Sequence, residues 1–395
     1  MRLAWILSDG KLIIRRDVGP DSEIVVKVLV LGIRGMPNVQ GGVETHAEEL
    51  YKRLALLGCE IEVLVRTPFV PAGAKFFGRI RIRRLWSPRR AGLETFVHSI
   101  LGALYAGIVR PDLLHIHSIG PAIVTPIARL LGLKVVVTHH SLNYEHEKWG
   151  RFARLLLRIG ERVGMKQSHA RIAVSNTIVD MIRAKYQRAT HFIPNGVSAV
   201  EPRADDQHVR GYGLEPGRYF LMVSRIVIDK RQMDLIRAYS LLRSPSWKLA
   251  LVGAADSSEY SRMVKAAAEA AGVTLTGYLH GEPLRQMYSH AGAFIFPSSQ
   301  EGLPIALLEA LSYGLPVLAS AIAANLEIGL DSSCYFPLGN IKALADGLAR
   351  LALMPRDETA RTNCRQWVVQ KYDWDRIAQQ TLDVYRRIGV GAAPT

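Results

Sequence analysis

The stretch EGLPIALLE, residues 301–309, sets two carboxylates, Glu301 and Glu309, eight positions apart around Gly302, Leu303, Pro304 and Ile305. Pro304 suits the first turn of a helix, where its missing N–H would have no partner anyway, and Gly314 suits the far end. Glu301 then sits in the loop before the helix and Glu309 about one and a half turns inside it. At roughly 1.5 Å per residue they stand about a sugar ring's width apart along the axis. One carboxylate can accept the hydroxyls of a sugar and the other those of a ribose, while the helix start faces a phosphate between them. The pair reads hydroxyls and need not be an acid and a base.

Two further stretches carry charge or backbone suited to phosphate. In SRIVIDKRQMDLI (224–236), Arg225 follows a strand-like run and Lys230 comes five residues later. Cations at a strand's carboxyl end suit a diphosphate whose charge grows as it departs, although a surface Arg and Lys beside a turn would look the same. In LGIRGMPNVQGGVETHAEEL (31–50), Gly41 and Gly42 precede a helix, so the backbone can approach a ligand and offer free N–H groups. The G-x-G-x-x-G dinucleotide spacing is missing.

Histidines form a third group: His115, His117, His139, His140 and His146. No acidic or cysteine ligand completes a metal set among them, so the sequence points to no metal. Packing or hydroxyl bonding at strand ends accounts for most of them. His139 and His140 end one strand and should face opposite sides.

Short apolar runs that read as strands alternate with helical segments throughout. They fall at 24–33, 60–66, 79–85, 113–117, 134–140, 171–175 and 191–197, and again at 218–224, 247–253, 273–279, 293–298 and 315–320. Continuous apolar runs suit strands covered on both faces; alternating Arg and Ile in 79–85 suits an edge or half-exposed strand. The fold class is α/β: two doubly wound parallel-sheet, Rossmann-like domains facing a cleft. Residues 24–200 and 201–371 are the two domains, with a polar linker at 198–217. Residues 1–23 fit neither series; they form a small hairpin at Asp9-Gly10 or an upstream extension, with no function assigned.

The chain has 395 residues, 49% of them hydrophobic, and a net charge of +15. Such a composition excludes a disordered chain. Three scattered cysteines suggest a reducing compartment. The N-terminal apolar run LAWIL is too short for a secretory signal, and FVHSILGALYAGIV (96–109) is too short to span a bilayer. These features imply a cytoplasmic protein, or one lying on a membrane's cytoplasmic face. Residues 1–200 hold 29 Lys and Arg against 15 Asp and Glu, so nearly all the excess charge is in the first half. Arg151, Arg154, Arg158 and Arg162 recur at helical spacing beside Phe152, Leu155, Leu156, Ile159 and Val163. A solvated basic face and a contact with an anionic membrane or acceptor both fit. Nucleic acid does not, because no recognition motif accompanies the charge.

Taken together, FPSSQEGLPIALLEALSYGLPVLAS, the GG-x-E loop at 41–44, the R-x4-K at 225–230 and IPNGV at 193–197 resemble the family 4 glycosyltransferases of GT-B fold, with their E-x7-E signature. LGIRGMPNVQGGVETHAEEL together with VVVTHHSLNYEHEKWGR further resembles a bacterial subgroup that builds cell-surface polysaccharides such as O-antigen, capsule or exopolysaccharide. The resemblance covers about residues 27–388, and YDWDRIAQQTLDVYRRI within 372–395 is similar to the family's last helix, which crosses back to the first domain.

The resemblance implies a retaining, metal-independent hexosyl- or deoxyhexosyltransferase without a cofactor. Its donor would be a nucleotide-diphosphate sugar and its acceptor a saccharide or lipid-linked saccharide. Arg225 and Lys230 would hold the diphosphate, and Glu309 the ribose. Glu301 with the backbone of Gly302, Leu303, Pro304 and Ile305 would hold the sugar. Gly41 and Gly42 would close the phosphate side, and His140 would sit at the reacting carbon. Ser141 stands where the subgroup often has Gly. Rival readings are a sugar-nucleotide epimerase of the same architecture, a nicotinamide oxidoreductase, and a basic membrane- or nucleic-acid-binding module without catalysis. The R-x4-K and EGLP combination argues against the first, and the missing glycine fingerprint against the second.

Overall fold

A computed structural model describes residues 3–8, 11–16, 26–89, 92–142, 150–242, 246–355 and 357–389. Strands β1 (Leu3–Ser8) and β2 (Lys11–Arg16) pair antiparallel, from Leu3 opposite Arg16 to Ser8 opposite Lys11. Asp9-Gly10, where the sequence places the hairpin's bend, lies outside the described residues.

The apolar runs fold as a first sheet of β3 (Lys27–Leu31), β4 (Glu60–Arg66), β5 (Phe76–Phe77), β6 (Ile80–Leu85), β7 (Leu113–His117), β8 (Val135–His139), β9 (Ala170–Ala173) and β10 (His191–Phe192). Their order is β10-β9-β8-β7-β3-β4-β6-β5, parallel except for β5. All five residues of β7 and all five of β8 are buried, as central strands covered on both faces must be. The β6 stretch alternates: Ile80 and Ile82 are buried, Arg81 and Arg83 exposed. It is half-exposed as expected, but the two residues of β5 cover its outer edge. The run at 191–197 joins the sheet only over His191–Phe192, because Pro194 has no N–H to give a ladder; Val197 makes an isolated parallel bridge to Asp373 instead.

The second sheet comprises β11 (Tyr219–Val223), β12 (Lys248–Val252), β13 (Thr274–Gly277), β14 (Ala293–Phe296), β15 (Val317–Ser320) and β16 (Tyr335–Phe336), all parallel in the order β13-β12-β11-β14-β15-β16. Both sheets are open, with their strand order reversing beside β3 and β11, and such reversals open a crevice at the strands' carboxyl ends.

The last helix, Trp374–Arg387, packs on the first sheet's side of the molecule. Its Trp374, Ile377, Leu382 and Tyr385 share one buried cluster with Leu50, Tyr51 and Leu54 of the helix Gly42–Leu56. Cross-cleft bonds hold the two sheets' rims together. Gln40 Oε1 accepts from the Ala254 N–H at 2.9 Å, Gln300 Nε2 donates to the Leu142 carbonyl at 2.7 Å, and Asn195 Nδ2 donates to the Leu303 carbonyl at 2.6 Å. Glu327 accepts from the Asn176 and Thr177 N–H groups at 2.5 and 3.2 Å. These are free donors at the start of the helix Asn176–Tyr186, where a carboxylate is favoured. Among the described residues no helix is long and apolar enough to cross a membrane.

Candidate active site

Between the carboxyl ends of the two sheets lies a cleft of about 300 Å³. Gly41, Gly42 and His140 border it from the first sheet; Arg225, Lys230, the 301–305 loop and Glu309 border it from the second. The sequence-derived donor residues therefore converge on one groove. Arg151, Arg154, Arg158 and Arg162 do not. They lie on the helix Arg151–Gln167, away from the cleft, beside exposed Phe152, Leu155 and Ile159.

The loop after β14 carries the paired carboxylates. Pro304 precedes the helix Ile305–Ser312 as its N-cap instead of entering the first turn: at ψ 107 its backbone is extended. Gly302 is demanded by contact. A Cβ there would run into the backbone carbonyl of His140, far inside van der Waals distance. Glu301 is ion-paired with Lys230, so the expected sugar reader and one expected diphosphate holder grip each other. Arg225 makes no side-chain hydrogen bond among the described residues; Glu44, Glu301 and Asp256 supply the negative charge around it. Among the described residues Glu309 receives a single side-chain bond, from the Tyr288 hydroxyl at 3.0 Å. Burial pushes its carboxyl up to about 7, against the smaller opposing effect of that bond.

Gly41 and Gly42 begin the helix Gly42–Leu56 with no side-chain cap. Beneath them Glu44, only 6% exposed, accepts from Arg34 Nε at 3.0 Å and Nη2 at 2.9 Å, and Arg34 Nη2 also reaches the Gln40 carbonyl at 2.5 Å. That clasp folds the loop back on itself. It holds the Gly41 backbone at the cleft wall.

The adjacent histidines part as expected. His139 turns to Glu161 at 3.2 Å, while His140 turns toward the cleft wall. Behind His140 runs a file of buried polar side chains. His140 Nε2 bonds His117 Nδ1 at 2.9 Å, His117 Nε2 bonds the Tyr51 hydroxyl at 2.5 Å, and Tyr51 bonds His115 Nδ1 at 2.8 Å. His115 also bonds the Tyr385 hydroxyl at 2.6 Å and Thr138 Oγ1 at 2.7 Å. Burial, then neighbouring histidines, keep the imidazoles neutral: His115 falls to about 3, and His117 and His140 lie well below the ordinary value. His46 falls to about 4 through burial and bonds Asn195 Oδ1 at 2.9 Å.

His46, His117 and His140 bring ligand-capable nitrogens within 4.8 Å of one another. Neutral imidazoles are competent ligands, yet His117 and His140 turn nitrogens to each other and, among the described residues, no carboxylate or thiolate joins the group. His146 lies outside the described residues. Sequence reasoning missed Arg34, Gln40, Tyr51 and His46 as parts of the site. Asn195 had a signal, the IPNGV stretch, without an assigned role.

Comparison with known proteins agrees with this geometry. Residues 40–200 match Glycosyltransferase Family 4, and residues 206–379 match Glycosyl transferases group 1. Alpha-maltose-1-phosphate synthase of Mycobacterium tuberculosis is 27% identical over 92% of this chain and 100% of its own. The GDP-mannose:cellobiosyl-diphosphopolyprenol alpha-mannosyltransferase of Xanthomonas campestris is 26% identical over 73% of this chain and 76% of its own. Sucrose-phosphate synthase from Thermosynechococcus elongatus has the same fold, with a TM-score of 0.79, 21% identity and coverage of 93% of this chain and 100% of that one. With its family 4 part and group 1 part matching along most of its length, the chain belongs to the glycosyltransferases of GT-B architecture.

Proposed function

We propose that this glycosyltransferase moves a sugar, with retention of configuration, from a nucleotide-diphosphate donor to a hydroxyl of a lipid-linked saccharide in cell-surface polysaccharide synthesis. The observation that carries the donor assignment is Arg225, a cation in the cleft without a side-chain hydrogen-bond partner among the described residues, beside the Lys230–Glu301 pair. Arg225 and Lys230 hold the diphosphate and stabilise the charge that develops on it. Donor entry separates Lys230 from Glu301, which then takes sugar hydroxyls with the backbone of Gly302–Ile305. Glu309, supplied with one donor where a carboxylate can accept several, takes the ribose hydroxyls. Gly41 and Gly42 close the phosphate side, and His140 touches the sugar as a neutral imidazole.

Residues 24–200 take the acceptor, residues 201–371 the donor, and the helix Trp374–Arg387 crosses back. The mannosyltransferase relative's acceptor, a diphosphopolyprenol, suits a first half rich in Lys and Arg. The exposed Phe152, Leu155 and Ile159 beside Arg151, Arg158 and Arg162 suit peripheral contact with an anionic membrane.

The test is a thermal-shift screen of nucleotide sugars in EDTA, followed by transfer assays with the hits and NMR of the product's anomeric configuration. Glu309→Ala and Lys230→Ala should each lose the donor-induced shift while staying folded. Equal shifts in both variants and the parent would remove the site assignment. Inversion at the anomeric carbon would remove retention.

A further inference from the structure

We propose that Tyr51, His117, His115 and Tyr385 are positioning residues that fix the tautomer of His140 and leave its Nδ1 as the ring atom presented to the cleft. The proposal rests on the reading of His140 as a neutral side chain at the reacting sugar. Nε2 of His140 is occupied by His117. Nδ1 has no partner among the described residues, and it is not among the polar atoms sealed from solvent without one; His140 borders the cleft. The other ring nitrogen of His117 is held by Tyr51, and Tyr51 is held in turn by His115.

Each member of this file has few choices. A neutral imidazole has one N–H and one bare nitrogen, so a bond at one end decides what the other end offers. If Tyr51 donates to His117 Nε2, then His117 Nδ1–H donates to His140 Nε2, and His140 must carry its proton on Nδ1. If Tyr51 instead accepts from His117, every bond reverses and Nδ1 is bare. The two arrangements hold the same number of protons; passing from the first to the second shifts one proton along each bond, releases the Nδ1 proton of His140 to the cleft and takes one up on His115 Nε2 from the Thr138 side. A diphosphate sugar in the cleft presents oxygens that need donors, which selects the arrangement with Nδ1–H pointing outward.

The far end of the file is anchored twice. His115 Nδ1 meets Tyr385 and its Nε2 meets Thr138. Tyr385 comes from the last helix, 270 residues along the chain from His115. Docking of that helix therefore bears on the proton position at His140, through buried groups that donor never touches. All the members are buried, His140 at 7% being the most exposed, so water does not supply a competing partner.

Uniform ¹⁵N labelling and long-range ¹H–¹⁵N correlation of the histidine rings tests this on the full chain. The parent, saturated with the donor found in the screen, should show a single His140 tautomer protonated at Nδ1. Tyr51→Phe keeps the ring and removes the hydroxyl; it should give a mixture of His140 tautomers, with kcat about tenfold lower and donor KM nearly unchanged. Tyr385→Phe should act in the same direction and less strongly. A single unchanged tautomer in both variants, or a loss confined to melting temperature with kcat intact, would overturn the proposal. Free protein whose His140 tautomer differs between the parent and Tyr51→Phe supports the file even if no nucleotide sugar proves to be a substrate. A failed donor screen would therefore remove the donor reading and leave this result standing.

Discussion

Glu161 is fully buried and Glu309 half-buried at the cleft, and the two glutamates titrate in opposite directions. Glu161, behind the end of β8, is fully buried and accepts from His139 at 3.2 Å, Lys185 at 2.5 Å and Tyr186 at 2.6 Å. Those donors outweigh the desolvation that is the largest single influence and bring its carboxyl down to about 2. Glu309, at the cleft in front, has Tyr288 alone and rises to about 7. A buried carboxylate saturated with donors has finished its work in folding. One bonded by a single hydroxyl keeps the capacity to accept more, which is what the proposed ribose contact would use. The same contrast separates adjacent residues: His139 serves the sealed side and His140 the open one.

The comparison breaks most visibly if Glu161 is removed. Glu161→Ala strands His139 and Tyr186 and should lose about 3 kcal/mol of stability in urea titration, the low end for a broken buried pair because Lys185 can turn to solvent. A loss no larger than that of Glu309→Ala would show that the two carboxylates are equivalent. On the open side, Gly302→Ala drives the 301–305 loop off the His140 carbonyl. Turnover should fall about 100-fold, as for a misplacement of about 1 Å, with the melting temperature changed far less than in Glu161→Ala.

pH sharpens the contrast further. The depressed carboxyl of Glu161 contributes stability that is present above its ordinary value of 4.5 and lost as pH falls toward about 2. The raised carboxyl of Glu309 does the reverse: its contribution is full below 4.5 and fades as pH rises through about 7. Glu309→Gln should thus hold its melting temperature better than the parent between pH 6 and 8. Donor binding, which on the proposed reading uses the ionised form, should strengthen over the same interval in the parent and stay flat in the variant, as isothermal titration will read. The smallest effect expected is that of Glu327→Ala. It removes a carboxylate from a helix start and should cost about 0.5 kcal/mol, seen as a slightly weaker donor-induced shift.

Much of the fold was legible because continuous apolar runs announce covered strands. β7 and β8 were readable from LLHIH and KVVVTHH. The two-residue strands β5 and β16 were not, since pairs such as Phe76-Phe77 carry no periodicity. On the donor side, the E-x7-E and R-x4-K spacings survive because each motif lies within one loop and helix. The resting partnership of Lys230 with Glu301 did not show, because it joins two loops brought together only by the sheet. Tyr51 was invisible for the same reason: it sits on a helix whose apolar face looks ordinary, and only the register of β7 against β3 carries histidines beneath it.

The placement of Trp374–Arg387 has a consequence for how this molecule is made. Because Trp374, Leu382 and Tyr385 complete the hydrophobic cluster built on Leu50 and Leu54, a chain emerging from the ribosome cannot finish the core around the first sheet until residues some 320 positions further on have appeared. Successive independent folding of the two halves is thereby replaced by a late, joint closure.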